Sequence, residues 1–190
     1  MTTEQIQKKL AEFYKGVVIE FVEGAKNPVT QAQTGDSCLI VPADKIKDIC
    51  KTLKTIDQFA FDCLSSLTAV DRPGGAPSGS ARGGGDASPS EGKFEVVYHL
   101  FSYKHKHSLV LKVVLPREDT AHVETIESLW GCANWLEREV YDLFGIKFDN
   151  HSDLRRIMLP DDWVGHPLRK DYKEQEDYHG ISTTRPPLLS

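Results

Sequence analysis

The chain has 190 residues, a formal net charge of -5 and a pI of about 5.8, with 39% hydrophobic and 27% charged residues. This length and composition predict one globular domain with appendages, and the acidic balance offers no overall attraction for nucleic acid or an anionic bilayer. The chain has no apolar run of about 18 residues, the length of a membrane span, so we expect a cytoplasmic protein that neither spans the membrane nor binds nucleic acid.

The first part of the chain is predicted to alternate helices with strands. Apolar residues at helical spacing predict a helix over residues 3–14, with Thr2 as the start of a capping box. Runs of β-branched and apolar residues predict strands over 17–22 and 37–41. A second helix is predicted to follow Pro42.

The middle of the chain is rich in strand-forming residues. Three runs of β-branched and aromatic residues predict strands over 59–70, 93–101 and 107–116, the last two joined as a hairpin. Between the first two lies the Gly/Pro/Ser-rich segment 71–93, which cannot bury enough apolar surface to order itself and is predicted to be flexible. It is either an interdomain linker or an enlarged hairpin loop. The flanking strands need each other as partners, which favours the loop.

Two helices are predicted after the strands. Thr120 can cap the first, in which Val123, Ile126 and Trp130 share an apolar stripe, and the second covers residues 132–145 and ends at its glycine.

Beyond the second helix neither a helical nor a strand period is sustained. The sequence therefore predicts an α+β domain over 1–149, in which helices pack on a small mixed or antiparallel sheet. An extended, irregular C-terminal arm over 150–190 is predicted to follow.

The stretch EREVYDLFG, residues 137–145, concentrates carboxylates and raises the question of an active site. On a helix, Glu137 and Glu139 fall about 160° apart, on opposite margins of the apolar stripe, and cannot converge on one bond. Arg138 and Asp142 lie one turn apart and are predicted to pair on the exposed face. A solvated polar face or a subunit interface fits this pattern better than catalysis.

Other candidates for chemistry are weaker. Four cysteines are predicted to be buried free thiols, because each has apolar neighbours and no C-x-x-C pair occurs: Cys38, Cys50, Cys63 and Cys132. His105 and His107 could reach one metal ion from a hairpin turn, but no third ligand lies nearby. No nucleophile or phosphate-binding motif is present. The sequence predicts no catalytic, cofactor-binding or metal-binding residue.

The arm is rich in the side chains that anchor protein interfaces. Its aromatic and arginine residues include Trp163, Tyr172, Tyr178, Arg155, Arg156, Arg169 and Arg185. Such residues are enriched at interfaces, and an extended segment can cover a large partner surface. We infer that the arm lies on another protein. Arg155 and Arg156 are also candidate partners for the helix carboxylates, within the chain or across to another subunit.

The region from residue 133 to 172 resembles the 30 kDa subunit family, also called the C subunit, of bacterial NADH:quinone oxidoreductase, respiratory complex I. The resemblance rests on ERE at 137–139, DLFG at 142–145, His151 four residues before Arg155, and GHPLRKDY at 165–172. LTAVD at 67–71 and FEVVYHLFS at 94–102 extend it more loosely to residues 37–172. The chain departs from the family at Ser152, where proline is usual and a looser turn is expected without it, and in the length of the loop at 71–93.

The resemblance implies a non-catalytic structural subunit in the hydrophilic arm of a proton-translocating NADH:quinone oxidoreductase. The chain would lie peripherally on the cytoplasmic side of the membrane, against the quinone-site large subunit and the iron–sulfur subunits. It would hold no cofactor, with FMN and iron–sulfur clusters in partner subunits. The equivalent subunit of a related membrane-bound hydrogenase or ferredoxin-dependent complex is the alternative, and a stand-alone metal hydrolase is less favoured.

We predict that the subunit interface includes fourteen residues of the second helix and the arm. They are Glu137, Arg138, Glu139, Asp142, His151, Arg155, Arg156, Asp161, Trp163, His166, Leu168, Arg169, Lys170 and Tyr172.

Overall fold

A computed structural model describes residues 1–24, 36–74 and 91–183. Its centre is a five-stranded mixed sheet in the order β1-β2-β5-β4-β3. The strands are β1 (Glu20–Val22), β2 (Cys38–Val41), β3 (Cys63–Arg72), β4 (Lys93–Ser102) and β5 (His107–Pro116). β2 is parallel to β5, and the other neighbouring pairs are antiparallel. The predicted α+β class and mixed sheet are confirmed.

Three α-helices of the described residues pack on one face of this sheet. They are α1 (Thr3–Phe13), α2 (Ile46–Thr55) and α3 (Ala133–Phe144). Their buried side chains fall in one apolar cluster with the inward-facing residues of the strands. α1 begins with the predicted capping box, in which the Gln5 N–H donates to Thr2 Oγ1 at 3.3 Å and the Thr2 N–H donates to Gln5 Oε1 at 3.1 Å. Within the described residues, no helix is long and apolar enough to cross a bilayer.

The Gly/Pro/Ser-rich segment joins two neighbouring strands of one sheet. Arg72 at the end of β3 pairs with Lys93 at the start of β4, so the segment is a connection within the sheet. The predicted bounds 71–93 were too wide, because residues 71, 72 and 93 belong to strands. Residues 75–90 lie outside the described part of the chain, and the predicted flexibility there stays a prediction.

The predicted helix after Thr120 is wrong. The chain forms a short strand β6 (His122–Glu124), which pairs in parallel with β7 (Lys147–Asp149). The Thr125 N–H continues this ladder by donating to Asp149 O at 3.0 Å, and turns then bury Ile126 and Trp130 in the core. The residues of the predicted apolar stripe, Val123, Ile126 and Trp130, are buried as expected. Pairing with β7, which follows α3 in the chain, nevertheless gives residues 122–124 a strand conformation.

The arm has little regular structure of its own. Among the residues described, it contains one short antiparallel pair, β8 (Asp177–Tyr178) with β9 (Ile181–Ser182). The rest runs as turns over the end of α3 and the edge of the sheet, and its contacts there define the candidate site.

Candidate subunit interface

The arm encloses the C-terminal end of α3. The last carbonyl oxygens of a helix have no partner inside the helix, and here three successive ones accept hydrogen bonds from the arm. The pairs are Asp142 O with His166 Nδ1 at 2.8 Å, Leu143 O with Leu168 N at 3.1 Å, and Phe144 O with Arg169 Nε at 2.6 Å. The Arg169 charge also complements the negative end of the helix dipole.

Gly145 makes this close approach possible. Its φ is +76°, as expected for the predicted helix stop, and a Cβ there would lie 2.6 Å from the His166 ring and 2.7 Å from an Arg169 guanidinium nitrogen. Only glycine combines this left-handed conformation with the required space. The DLFG and GHPLR sequences are therefore the two sides of one contact within the chain.

The Asp142 carboxylate ties the arm to the opposite side of the helix end. Its Oδ2 accepts three backbone N–H bonds, from residues 157, 158 and 159, at 3.1, 2.8 and 2.9 Å. Its Oδ1 accepts from Arg156 Nη1 at 3.1 Å, and the Arg156 Nη2 donates to Gly165 O at 3.1 Å. The carboxylate is fully buried, and these bonds replace its lost hydration.

The predicted exposed pair of Arg138 and Asp142 is wrong. Both residues are buried, because the arm covers the side of α3 from which they project. Arg138 Nε donates to Arg155 O at 3.2 Å, and its guanidinium lies 5.2 Å from the Trp135 ring centroid. The Arg155 side chain remains exposed and pairs with Asp153 at 2.9 Å. Glu139 is exposed.

Glu137 is the buried carboxylate on the other flank of α3. Its Oε1 accepts from the Ile126 N–H at 2.8 Å, and its Oε2 accepts from the Thr125 hydroxyl. Burial raises the pKa of Glu137 to about 7, although these hydrogen bonds oppose the rise. The carboxylate joins α3 to the turn after β6.

His151 packs beside Glu137 with its ring fully buried, and its Nε2 lies 3.8 Å from the carboxylate. The His151 Nδ1 accepts from the Asp153 N–H at 3.0 Å, while Nε2 donates to Asn134 O at 3.2 Å. This network assigns a neutral imidazole with its proton on Nε2. His151 therefore orders the turn that starts the arm.

Ser152 anchors the turn that was expected to be looser without a proline. Its N–H donates to Glu127 Oε1 at 2.8 Å and its hydroxyl to Glu127 Oε2 at 3.0 Å. Proline has neither donor, so the expected loosening of the turn is offset here by two bonds that a proline could not make.

A second set of bonds, centred on Asp71, joins the arm to the sheet and was not predicted from the sequence. We call these bonds the Asp71 clamp, and the bonds between the arm and the Asp142 carboxylate the Asp142 clamp. Arg117 Nε and Nη2 donate to the buried Asp71 carboxylate at 2.6 and 2.9 Å, and the Lys170 N–H donates to Asp71 Oδ2 at 2.7 Å. The same guanidinium bonds Asp171 at 2.6 and 3.2 Å. The available signal was Asp71 itself, a carboxylate at the inward-facing position that follows Leu67 and Ala69 in β3.

The remaining predicted residues lie along the arm. Trp163 and Tyr172 are half-buried, with the Trp163 ring 5.2 Å from that of Tyr178, and within the described residues the Trp163 indole N–H and Tyr172 hydroxyl are buried without a hydrogen-bond partner. Asp161, Leu168 and Lys170 are exposed.

Large apolar side chains of α3 and the arm are exposed to solvent. We call this set the apolar α3–arm residues: Trp135, Met158, Val164 and Leu168. Exposed Trp and Met side chains are among the residue types enriched at protein contact surfaces.

The cysteines form no disulfide bond, and the hairpin histidines bond to backbone carbonyl groups. All four cysteines are free, but the predicted burial is wrong for Cys132, which is exposed just before α3, and only partial for Cys63. His105 and His107 donate through Nε2 to backbone carbonyls of residues 57 and 59, at 2.7 and 3.1 Å. In the described part of the chain, no group of three or more His, Cys, Asp or Glu side chains is arranged to hold a metal ion.

Comparison with known proteins gives one consistent family. Residues 39–178 match the family described as respiratory-chain NADH dehydrogenase, 30 Kd subunit. The chain is 42% identical over 150 residues to the C subunit of the NADH-quinone oxidoreductase of Geobacter sulfurreducens, covering 77% of this chain and 82% of the relative. It is 41% identical over 134 residues to the C subunit of the F420H2 dehydrogenase of Methanosarcina mazei, covering 70% and 73%.

A solved structure shares the fold. A chain of the membrane-bound sulfane sulfur reductase, an archaeal respiratory membrane complex, matches with a TM-score of 0.63 and 26% identity over 90% of this chain and 85% of that one.

Proposed function

The chain belongs to the 30 kDa subunit family of respiratory-chain NADH dehydrogenases, and from this premise we propose that it is a non-catalytic structural subunit of a proton-translocating NADH:quinone oxidoreductase. It holds neighbouring iron–sulfur and quinone-site subunits of the hydrophilic arm in place, on the cytoplasmic side of the membrane, while electrons pass from NADH to quinone. FMN and the iron–sulfur clusters belong to the partner subunits, and this chain needs no cofactor for its task.

One observation carries this proposal. The charged groups of the signature region, such as Asp142, Arg156 and Arg169, bond within the chain and fix the arm, while the apolar α3–arm residues remain exposed. An arm that is already ordered loses less conformational entropy when a partner binds. The buried charges therefore position the interface, and Trp135, Met158, Val164 and Leu168 make its direct contacts.

The mechanism is positional. Electron transfer between separate cofactors requires fixed distances, and a subunit that contacts several cofactor-bearing chains keeps those distances constant. The two clamps, at Asp142 and Asp71, join the arm to the sheet domain, so the two parts present one rigid surface.

The equivalent subunit of a related complex with another electron donor is the second candidate. The 41% identity to an F420H2 dehydrogenase subunit and the fold match to a sulfane sulfur reductase complex support it. Assaying the purified complex with NADH and with reduced F420 separates the two candidates. Stoichiometric zinc or manganese in the isolated chain would instead support a metal hydrolase.

The proposed interface can be tested with two matched valines. Val164 and Val18 are 67% and 72% exposed, and only Val164 lies on the arm. We expect Val164→Glu to lower the amount of assembled complex about tenfold, because a buried unpaired carboxylate costs at least about 1.4 kcal/mol. Turnover per assembled complex should stay within about twofold. Val18→Glu should change neither quantity.

The isolated chain provides the control. Both variants should melt at the parent temperature, since neither valine is buried in the free subunit. Normal assembly of the Val164 variant with lost turnover would contradict the structural role.

A further inference from the structure

A surface cleft lies where the end of β5 approaches β6, and we call it the β5–β6 cleft. Its volume is about 680 Å³, within the range of ligand and peptide sites, and its other walls come from the turn Ala43–Lys45 and the end of β7. The lining includes the exposed side chains of Val114, Pro116 and His122. These side chains are therefore accessible to a partner in the free chain.

The β5–β6 cleft is negatively charged. Among its lining residues there is no lysine or arginine, and there are four carboxylates: Asp44, Glu118, Glu124 and Asp149. Lys45 lies 3.7 Å from Asp44, and Lys47 lies 2.8 Å from Glu124, so two of the four have a cationic neighbour. Glu118 and Asp149 have no Lys or Arg partner among the described residues and bond Thr120 and His122 instead. The cleft therefore keeps a negative excess that a cation can neutralise.

The edge of β6 that faces away from β7 is unpaired at His122. The Lys147 N–H donates to Ala121 O at 3.0 Å. The Thr125 N–H donates to Asp149 O at the same distance, so the odd-numbered residues of 121–125 bond to β7. Successive residues of a strand direct their main-chain groups to opposite sides, and His122 therefore directs its N–H and C=O away from β7. Neither group has a hydrogen-bond partner among the described residues, and such an edge is a template for an extended segment of another chain.

We propose that the β5–β6 cleft binds an extended segment of a neighbouring subunit that carries a lysine or arginine. The main chain of the segment bonds the free N–H and C=O of His122. Its basic side chain lays the methylene groups on Val114 and Pro116 and turns the charged head to Glu118 and Asp149. Long basic side chains combine an apolar stem with a charged end, which suits a cleft lined by both apolar groups and carboxylates. The proposal rests on the proposed function, because it requires an assembled complex.

Photo-cross-linking in the intact complex tests this binding. Val114 lines the cleft and is 37% exposed. With Val114→p-benzoylphenylalanine, we expect a cross-link to a segment of another subunit that contains lysine or arginine, identified by mass spectrometry. Adding Glu118→Lys should lower the yield about fivefold, because it places a second cation against that of the segment. Adding Glu12→Lys, the same change at an exposed position of α1 outside the cleft, should leave the yield unchanged.

Controls separate this binding from the wider proposal. The same photoreactive group at Met158 reports the arm interface, so a cross-link from Met158 without one from Val114 overturns only the binding in the cleft. Absence of both overturns the structural role as well. A cross-link from Val114 to the same chain, to a second copy or to a segment without lysine or arginine also overturns the binding, as do equal yields from the Glu118 and Glu12 variants.

Folding of the Glu118 variant is checked separately. A thermal melt of the isolated Glu118→Lys chain should match that of the parent, since Glu118 is exposed. Glu118→Gln removes the charge without adding a cation and should lower the cross-link yield about twofold, so it tests the same contact if the lysine variant is unstable.

Discussion

At the residue scale, the acidic cluster of α3 divides into three carboxylates with different surroundings. Asp142 is buried among backbone N–H groups of the arm, Glu137 is buried beside Thr125 and His151, and Glu139 faces solvent. The helical spacing in the sequence correctly predicted that Glu137 and Glu139 project from different sides of α3. The burial of Asp142 could not be predicted from this spacing, because the residues that cover Asp142 come from the arm.

Replacing Asp142 should destabilise the isolated chain. Asp142→Asn leaves the three N–H groups of residues 157–159 and the Arg156 guanidinium with a neutral and poorer acceptor. We expect a loss of about 2–4 kcal/mol and a melting temperature lower by about 5–15 °C. Glu139→Gln, on the exposed side of the same helix, should stay within about 0.5 kcal/mol. Equal melting of the two variants would contradict this role.

Glu137 should make stability depend on pH. Its pKa is raised from 4.5 to about 7 by burial, so the stability that its protonated form provides is fully present below pH 4.5 and is lost as pH rises through about 7. This group alone should lower the free energy of unfolding by about 3 kcal/mol between pH 4.5 and 8. Chemical denaturation of Glu137→Gln over this range should show a flatter profile than the parent.

The difference between variant and parent is the informative quantity. Burial lowers the pKa values of His107 and His166, and their contribution to stability changes in the opposite direction below about pH 6.5. These histidines are present in both proteins and cancel in the difference. Parallel profiles for Glu137→Gln and the parent would show that Glu137 does not titrate in this window.

At the element scale, the helix end and the arm form one unit. α3 supplies carbonyl acceptors and the Asp142 carboxylate, and the arm supplies backbone donors, His166 and two arginines. The arm has almost no regular structure because its hydrogen-bonding groups are satisfied by another element. Its lack of periodicity in the sequence was therefore compatible with an ordered conformation.

Gly145→Ala should release the arm from the helix end. A methyl group at this position meets both His166 and Arg169, and the left-handed backbone adds a cost of about 1 kcal/mol. We expect tryptic cleavage within the arm of the isolated chain to become about tenfold faster, which corresponds to about 1.4 kcal/mol of easier local opening.

Gly16→Ala is the matched control. Gly16 also has a positive φ, +93°, but no atom lies within 4 Å of a Cβ built there. Gly16→Ala should have the same free-energy cost of placing alanine in a left-handed backbone conformation, but it should not accelerate cleavage of the arm. Equal cleavage in the two variants would mean that contact with His166 and Arg169 does not hold the arm.

At the scale of the whole molecule, the Asp71 carboxylate connects parts of the chain that are distant in sequence. The Lys170 N–H bonds Asp71 across 99 residues, and Arg117 bridges Asp71 to Asp171. The sheet edge, the connection after β5 and the arm are thereby held together. The surface that we propose for contacts with neighbouring subunits therefore depends on these bonds and not on the arm alone.

The connection between β3 and β4 should be dispensable for folding. Deleting residues 75–90 leaves four residues between Arg72 and Lys93, which already pair across the two strands. Shortening the loop about fivefold should lower its closure entropy cost by about 1.4 kcal/mol. The melting temperature of the isolated chain should therefore stay the same or rise by a few degrees. A large decrease would show that residues 75–90 contribute contacts to the fold.

The sequence by itself determined most elements and the fold class, because helical and strand periods, the Thr2 cap and the Gly145 stop are local signals that neighbouring residues carry. The tertiary structure decided which partner each charge has. Asp142 accepts hydrogen bonds from the arm, and Asp71 accepts them from Arg117. Residues 122–124 form a strand because β7 lies beside them. Such pairings depend on the path of the whole chain, since a buried charge or a strand edge is stabilised by whichever group the fold brings to it.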